Sequence, residues 1–346
     1  METLKIMAEN ILFIQTAFIG DAILSLPAIQ QLHKIFPGCK ISVLCIPSTK
    51  EIFAASDFVN EVIVFDKKDK HKSLLSTYWF AKELSKKNFT RLYSLHRSFR
   101  TSLLTLATGI KETFGFDNSD LKHAYRNLIK YFPDKHEVQR NLDLIGFNYY
   151  NTNWKIKPEI CPSDDVKNRI SEFVEANNLK KGFIAIAPGS VWFTKRYPEK
   201  YFEKIISHFT SKNSTVVLIG GKNDSDLCKR LQINEKDLIN TSNKFNLIES
   251  IELLKFAKLL ISNDSAPTHM GMCADIKVLT IYCSTIPKFG FYPYNTKSKY
   301  LSFDELDCKP CGIHGHQKCP VKSFDCAEKL YPEKIIQVAE GMLSED

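Results

Sequence analysis

The chain has 346 residues, 44% of them hydrophobic and 25% charged, with 47 basic against 39 acidic side chains and a net charge of +8. This composition is that of an ordinary globular protein rather than a disordered chain, and no stretch holds the ~18 uninterrupted apolar residues of a membrane-spanning helix. The length calls for about two domains, and the scatter of lysines over helix faces and loops argues for a solvated surface rather than a nucleic-acid footprint.

The positive excess suits phosphate-bearing ligands or an anionic membrane surface. The opening "METLKIMAEN" lacks the apolar core and cleavage site of a signal peptide, so a cytoplasmic location is expected. Ten cysteines are present. Six of them, Cys39, Cys45, Cys161, Cys228, Cys273 and Cys283, are dispersed and read as buried free thiols.

In chain order, "ILFIQ", "GDAILSLPAIQQLHKIFPG" and "KISVLCI" predict a strand, a helix closed by Pro37-Gly38, and a second strand. "EVIVFD" and "RLYSLH" continue as strands alternating with helical stretches such as "LLSTYWFAKELSKK", the pattern of a parallel α/β sheet. From Asn148 to Ser163 the periodicity breaks and marks a linker, which divides the chain into a domain at 1–155 and another at 156–346. After the helix "DDVKNRISEFVEANN" a second α/β series follows through "FIAIAPGS", "STVVLIGG", "LLISNDS" and "VLTIYCS". The last helix, "YPEKIIQVAEGML", fits either domain, and a ligand site is expected between the two halves.

Four strand-end loops carry candidate chemistry. In the first, Gly20 permits a tight turn and close ligand approach, while Asp21 either caps the following helix or serves as a general base. No GxGxxG is present, so a dinucleotide fingerprint is not supported. The second, "PGSVWFTKRYPEKYF", gathers Ser190, Thr194, Lys195 and Arg196 before a helix start, a grouping suited to a diphosphate. In the third, Gly220-Gly221 leaves room for a flat ring or a ribose, with Asn223 and Asp224 able to meet sugar hydroxyls. In the fourth, "SNDSAPTHMGMCA", Asp264 and Ser265 are N-cap types, Pro267 suits a first helical turn, and His269 follows on the helix.

Taken together, "GDAILSLPAI", "HRSFRTSLLTLATGIKETFGF", "PGSVWFTKRYPEKYF", "SNDSAPTHMGMCA" and "CKPCGIHGHQKCPVKSFDC" with "LYPEKI" resemble, in order, glycosyltransferase family nine, the ADP-heptose:lipopolysaccharide heptosyltransferases. The resemblance is strongest to the heptosyltransferase II branch. It implies the GT-B fold, two Rossmann-like α/β domains with parallel sheets facing across a cleft. It also implies inverting transfer of heptose from ADP-heptose to the inner core of lipopolysaccharide, with Asp21 as the base.

On the donor side the resemblance places Ser190, Lys195, Asp264, Ser265, Ala266 and His269, and the loop chemistry adds Thr194 and Asn223; Gly20 and, in the "HRSFR" block, Arg97 and Arg100 are assigned to the acceptor side. No cofactor is required by this reading. Peripheral contact with the inner membrane and a monomeric state are expected. The family usually has Gly where this chain has Ala266 and Ala where it has Gly271. Two other readings are a nucleotide-sugar epimerase of the same shape and a non-catalytic nucleotide-sugar-binding protein.

Cys308, Cys311, Cys319 and Cys326 form a C-x2-C-x7-C-x6-C pattern enclosing His314 and His316. Reduced thiols, a structural metal and disulfides all remain open on this spacing.

Overall fold

The computed structural model describes residues 8–232 and 238–345. Most of the opening stretch on which the signal-peptide reading rests, residues 1–7, lies outside them. The chain divides into two compact units, Met1–Cys161 and Pro162–Asp346.

The first unit runs β1 (Asn10–Gln15), α1 (Ile19–Ile35), β2 (Lys40–Cys45), α2 (Lys50–Ala54), β3 (Glu61–Val64), α3 (Leu74–Ser85), β4 (Arg91–Ser94), α4 (Phe99–Thr108), β5 (Glu112–Phe116), β6 (Asn127–Ile129) and α5 (Glu137–Leu144). All pairings are parallel, in the order β3-β2-β1-β4-β5-β6. β1 is apolar from Ile11 to Ile14 because a parallel sheet is covered on both faces. α1 is buried without a break from Ala22 to Leu32, since it lies between β1 and α5.

The second unit runs α6 (Asp164–Ala176), β7 (Phe183–Ala187), α7 (Glu199–Ser211), β8 (Val216–Leu218), α8 (Ser225–Gln232), β9 (Leu238–Asn240), α9 (Leu247–Leu254), β10 (Ala257–Asn263), α10 (Ala266–Ala274), β11 (Val278–Tyr282), β12 (Lys299–Ser302), α11 (Asp325–Glu328) and α12 (Pro332–Ser344). Its sheet is again parallel, β12-β11-β10-β7-β8-β9. Counted from its own first strand and read from the other edge, this is the strand order of the first unit. In such doubly wound sheets the chain leaves in opposite directions after the first and fourth strands, and the loops there open a crevice. The crevices lie between β1 and β4 in one unit and between β7 and β10 in the other.

Residues 156–161, grouped by the sequence with the second domain, pack on the first unit. Gln30 Nε2 donates to Lys157 O at 3.2 Å and its Oε1 accepts from Glu159 N–H at 3.3 Å, while Cys161 N–H donates to Ala55 O at 2.6 Å. Cys161 is exposed, which corrects its reading as a buried thiol; the other five dispersed cysteines are buried, and all ten are free. α12 packs in the second unit, where Ile335, Ala339 and Met342 join Phe202, Ile205 and Phe209.

Gly271 sets how closely α10 approaches its sheet. A Cβ there would stand 2.4 Å from Val278 Cγ2 and 3.2 Å from Leu260 Cδ2. Gly271→Ala is therefore expected to destabilise the protein by about 1–3 kcal/mol through overpacking, against a helix-propensity gain of about 1 kcal/mol. Denaturant unfolding of the variant checks this, and Gly271→Ala/Val278→Ala should recover part of the loss.

Candidate active site

In the second unit the crevice brings the loop after β7 against the loop after β10. Asn263, the last residue of β10, joins them: its Nδ2 donates to Pro188 O at 2.7 Å and its Oδ1 accepts from Tyr197 N–H at 2.9 Å. Lys195 crosses between the loops and places its ammonium 2.6 Å from Asp264 Oδ2. The same oxygen accepts from Thr285 Oγ1 at 2.7 Å. Both members of the ion pair are largely buried, the Lys195 side chain 14% and the Asp264 side chain 8% exposed.

Ser265 is the N-cap of α10, but its hydroxyl does not cap. It turns back to Gly189 O at 3.4 Å and Asn263 O at 3.3 Å. The first amides of α10, including that of Ala266, thus have no side-chain cap, and a helix start of this kind favours an anion. Asp264 lies one residue before the cap and serves the ion pair. His269 is 4% exposed and its Nδ1 has no hydrogen-bond partner. Burial lowers its pKa to about 4, with Asp264 acting upward and Lys195 downward, so the ring is neutral at neutral pH. An orphaned buried ring nitrogen costs free energy that a bound group can return.

Other residues expected at the donor serve the loop itself. Ser190 is buried, and its carbonyl accepts from Arg196 Nε at 2.7 Å. The Thr194 hydroxyl accepts from His316 N–H at 2.8 Å and Ser284 Oγ at 3.0 Å, and its own N–H donates to His316 O at 3.0 Å. Thr194 therefore stitches the cysteine-bearing loop onto the β7 loop. Gly315, at φ +77°, is needed there because a Cβ would stand 2.9 Å from Thr194 Oγ1.

The space expected over Gly220 is occupied by Asp224, whose Oδ2 accepts from Gly221 N–H at 3.0 Å. Asp224 also presses on the β7 loop, since a Cβ on Gly189 would fall 2.0 Å from Asp224 Oδ1. Its carboxylate closes the turn, whereas the neighbouring Asn223 is exposed.

Cys308, Cys311 and Cys319 are half-buried and Cys326 is buried, all as free thiols. Burial raises the Cys311 pKa, and Cys308 and Cys319 nearby act in the same direction. Among the described residues no group of three or more His, Cys, Asp and Glu side chains is arranged to hold a metal ion.

In the first unit the crevice joins the β1 and β4 loops. α1 begins after Phe18, so Gly20 is a helical residue rather than a turn, and Asp21 is the third residue of the helix rather than its N-cap. Its half-buried carboxylate lies in the first turn, where the helix dipole favours negative charge. Tyr131 is close enough to feel it: burial raises the phenol pKa most, Glu137 and Asp21 also raise it, and Arg140 and Arg97 oppose them.

Arg97 lies over the Tyr131 ring, 4.1 Å from its centroid, and Arg100 Nη1 donates to Lys67 O at 3.2 Å. Lys67, a residue the sequence reading missed, donates from Nζ to Thr16 O at 3.0 Å. Burial and the neighbouring Arg100 lower its pKa to about 8. Among the described residues none of these three cations has a carboxylate within ion-pair distance. His96 beside them is held down at about 4 by burial and then by Lys67 and Arg97, with Asp120 opposing. Its Nδ1 meets Thr101 Oγ1 at 3.1 Å and Ser98 Oγ at 3.0 Å.

Two doubly wound parallel α/β units in one chain, with charged residues at the switch-point loops of each, are the two Rossmann-like halves of a GT-B fold. Within that class the chain belongs to glycosyltransferase family 9, the heptosyltransferases, whose family model matches residues 77–321. It is similar to lipooligosaccharide heptosyltransferase 2 of Campylobacter jejuni, 25% identical over 335 residues that cover 94% of this chain and 96% of that protein. The fold is also that of a family 9 glycosyltransferase from Veillonella parvula (TM-score 0.86, 21% identity, 98% of each chain). It is shared by the ADP-heptose lipopolysaccharide heptosyltransferase II of Escherichia coli (TM-score 0.77, 18% identity, 96% of this chain and 98% of that one).

Proposed function

We propose that the protein transfers heptose from ADP-heptose to a hydroxyl of the lipopolysaccharide inner core, with inversion at the anomeric carbon. Asp21 removes the proton of the attacking hydroxyl as its oxygen bonds to the anomeric carbon, and the bond from that carbon to the diphosphate breaks with its electrons leaving on ADP. Lys195 and the uncapped amides of α10 take the growing negative charge of the departing diphosphate. This fixed cation and helix terminus give a metal ion no required part in the step.

The observation that carries the reading is the furnishing of the two crevices. One holds an ion-paired lysine beside a helix N-terminus, and the other holds a carboxylate together with cations that have no carboxylate partner among the described residues. Lys67, Arg97 and Arg100 are assigned to phosphate or carboxylate groups of the acceptor, and His269 to the donor.

A thermal-shift titration with ADP, UDP, GDP and CMP, each with and without magnesium, tests the donor. At 100 times its dissociation constant the right nucleotide adds about 2.7 kcal/mol of stability. ADP-selective stabilisation independent of magnesium is expected, and a preference for UDP would overturn the assignment.

Lys67 gives the acceptor side a pH signature. Its ammonium is present below about pH 8 and lost above it, so the KM for an anionic acceptor should rise as the pH passes through about 8. Lys67→Met should remove that pH limb and raise the KM by about tenfold or more, the worth of a hydrogen bond to a charged group. Because the folded-state pKa is depressed, the cost of holding the charge is present at neutral pH and relieved as the pH rises through that value. The variant should therefore melt higher than the parent at pH 7 even though it binds acceptor worse.

A further inference from the structure

The outer face of α3 is apolar where a surface helix is ordinarily polar. Its inner stripe of Thr77, Ala81 and Leu84 is buried, and Phe80 stacks on Phe65 beneath it. On the opposite side Leu75, Tyr78 and Trp79 stand at i, i+3 and i+4, exposed by 66%, 41% and 61%, with Leu74 beside them at 50%. Lys82 continues this stripe one turn on, its ammonium 5.3 Å from the centre of the Tyr78 ring.

The segment leading into the helix reads Lys-Lys-Asp-Lys-His-Lys from Lys67 to Lys72, and Lys68, Lys70 and Lys72 are exposed. Asp66 and Asp69 offset two of the four lysine charges and leave the segment from Asp66 to Lys72 with a net charge of +2 when His71 is neutral. The Asp66 carboxylate accepts from the Lys68 and Asp69 amides at 3.0 and 3.1 Å, and Glu83 is paired with Lys86 at 2.7 Å. The same segment is tied to the candidate acceptor residues, because Lys67 Nζ bonds Thr16 O and Arg100 bonds Lys67 O.

We propose that this face docks on an anionic phospholipid surface. Leu74, Leu75, Tyr78 and Trp79 enter the boundary between headgroups and acyl chains, and Lys68, Lys70 and Lys72 lie on lipid phosphates. Tyr and Trp suit that boundary because each joins an apolar ring to a polar tip. Charge decides against a second copy of this chain as the occupant. A two-fold contact through α3 would bring the lysines of both copies to one interface, whereas an anionic lipid surface complements them. The lipid surface would then lie beside the acceptor cations, which gives docking a purpose under the function proposed above.

Flotation of the full-length protein with phosphatidylcholine vesicles, with and without phosphatidylglycerol, tests the proposal. These vesicles carry no glycan and no nucleotide, so the result stands apart from the transfer reaction. Binding is expected only with phosphatidylglycerol present. Lys68→Glu/Lys70→Glu/Lys72→Glu should weaken it by about a hundredfold and Leu75→Ser/Trp79→Ser by about tenfold.

All five positions are exposed, so thermal melts should match the parent. Trp79 fluorescence should be quenched by brominated acyl chains, and Trp79→Phe should lose that component. Absence of binding to anionic vesicles, or undiminished binding by both variants, would overturn the proposal. So would a concentration-dependent dimer that Leu75→Ser/Trp79→Ser dissociates while vesicle binding persists. Loss of ADP selectivity would speak against the proposed function and leave this result untouched.

Discussion

Asp21→Asn is expected to lower heptosyl transfer by about 10²–10⁴-fold while ADP binding is unchanged. The substitution keeps the size of the side chain and removes the basic oxygen, so it separates proton removal from packing. Asp21 lies in the first unit and the proposed donor loops in the second, which is why the nucleotide titration should not respond. The stability cost should be small. Asp21 is not the N-cap of α1, and loss of a carboxylate from a first helical turn costs about 0.3–1 kcal/mol. Single-turnover transfer from ADP-heptose, measured beside thermal melts, gives both numbers. Full activity in the variant would remove Asp21 from the base role and turn attention to the neutral His96.

Lys195→Ala is expected to weaken ADP binding by about tenfold to a hundredfold and to destabilise the protein by about 3–5 kcal/mol. The two effects have different origins. The first is the loss of a charged donor to the diphosphate. The second arises because truncation leaves Asp264, 8% exposed, without the ammonium 2.6 Å away. Lys195→Met/Asp264→Asn separates them: removing both charges should restore most of the stability and none of the affinity. Chemical denaturation and calorimetric ADP titration of Lys195→Met, Asp264→Asn and the double variant form the cycle. If the double variant regained ADP affinity, Lys195 would be a structural residue and the diphosphate would have to be held elsewhere.

The mutual proximity of the site residues explains which of them the sequence could reveal. Lys195, Asp264, Ser265 and His269 could be proposed from the sequence because each follows a strand long and apolar enough to recognise, and parallel sheets place ligands after strands. Ser190 could be proposed for the same reason, but its carbonyl serves Arg196 within the loop. Thr194 was legible as part of the same loop, but its hydroxyl bonds Ser284 and, in the cysteine-bearing loop, His316, 90 and 122 residues away. Asp224 looked available for sugar hydroxyls, yet it fills the space that Gly189 and Gly220 leave open. Lys67 gave no signal at all. It is one lysine in a lysine-rich run, distinguished only by burial beside Arg100 and its bond to Thr16 O, fifty-one residues earlier.

The amino-acid order by itself determined the alternation of strand and helix, the near-equal halves and the strand-end loops. These follow from short-range causes: apolar periodicity, capping residues, and the sterics of Gly and Pro. The short strands β5, β6, β9 and β12, three to five residues each, passed unnoticed, whereas the equally short β8 is legible because "STVVLIGG" carries its apolar run beyond the paired residues. Tertiary structure alone decided the strand order and, through it, the placement of each crevice between first and fourth strands. It also decided which charges are paired, since Lys195 meets Asp264 while Lys67, Arg97 and Arg100 meet no carboxylate among the described residues. Burial and charge partnership depend on neighbours brought from distant parts of the chain, and residue types in a local stretch carry no record of them.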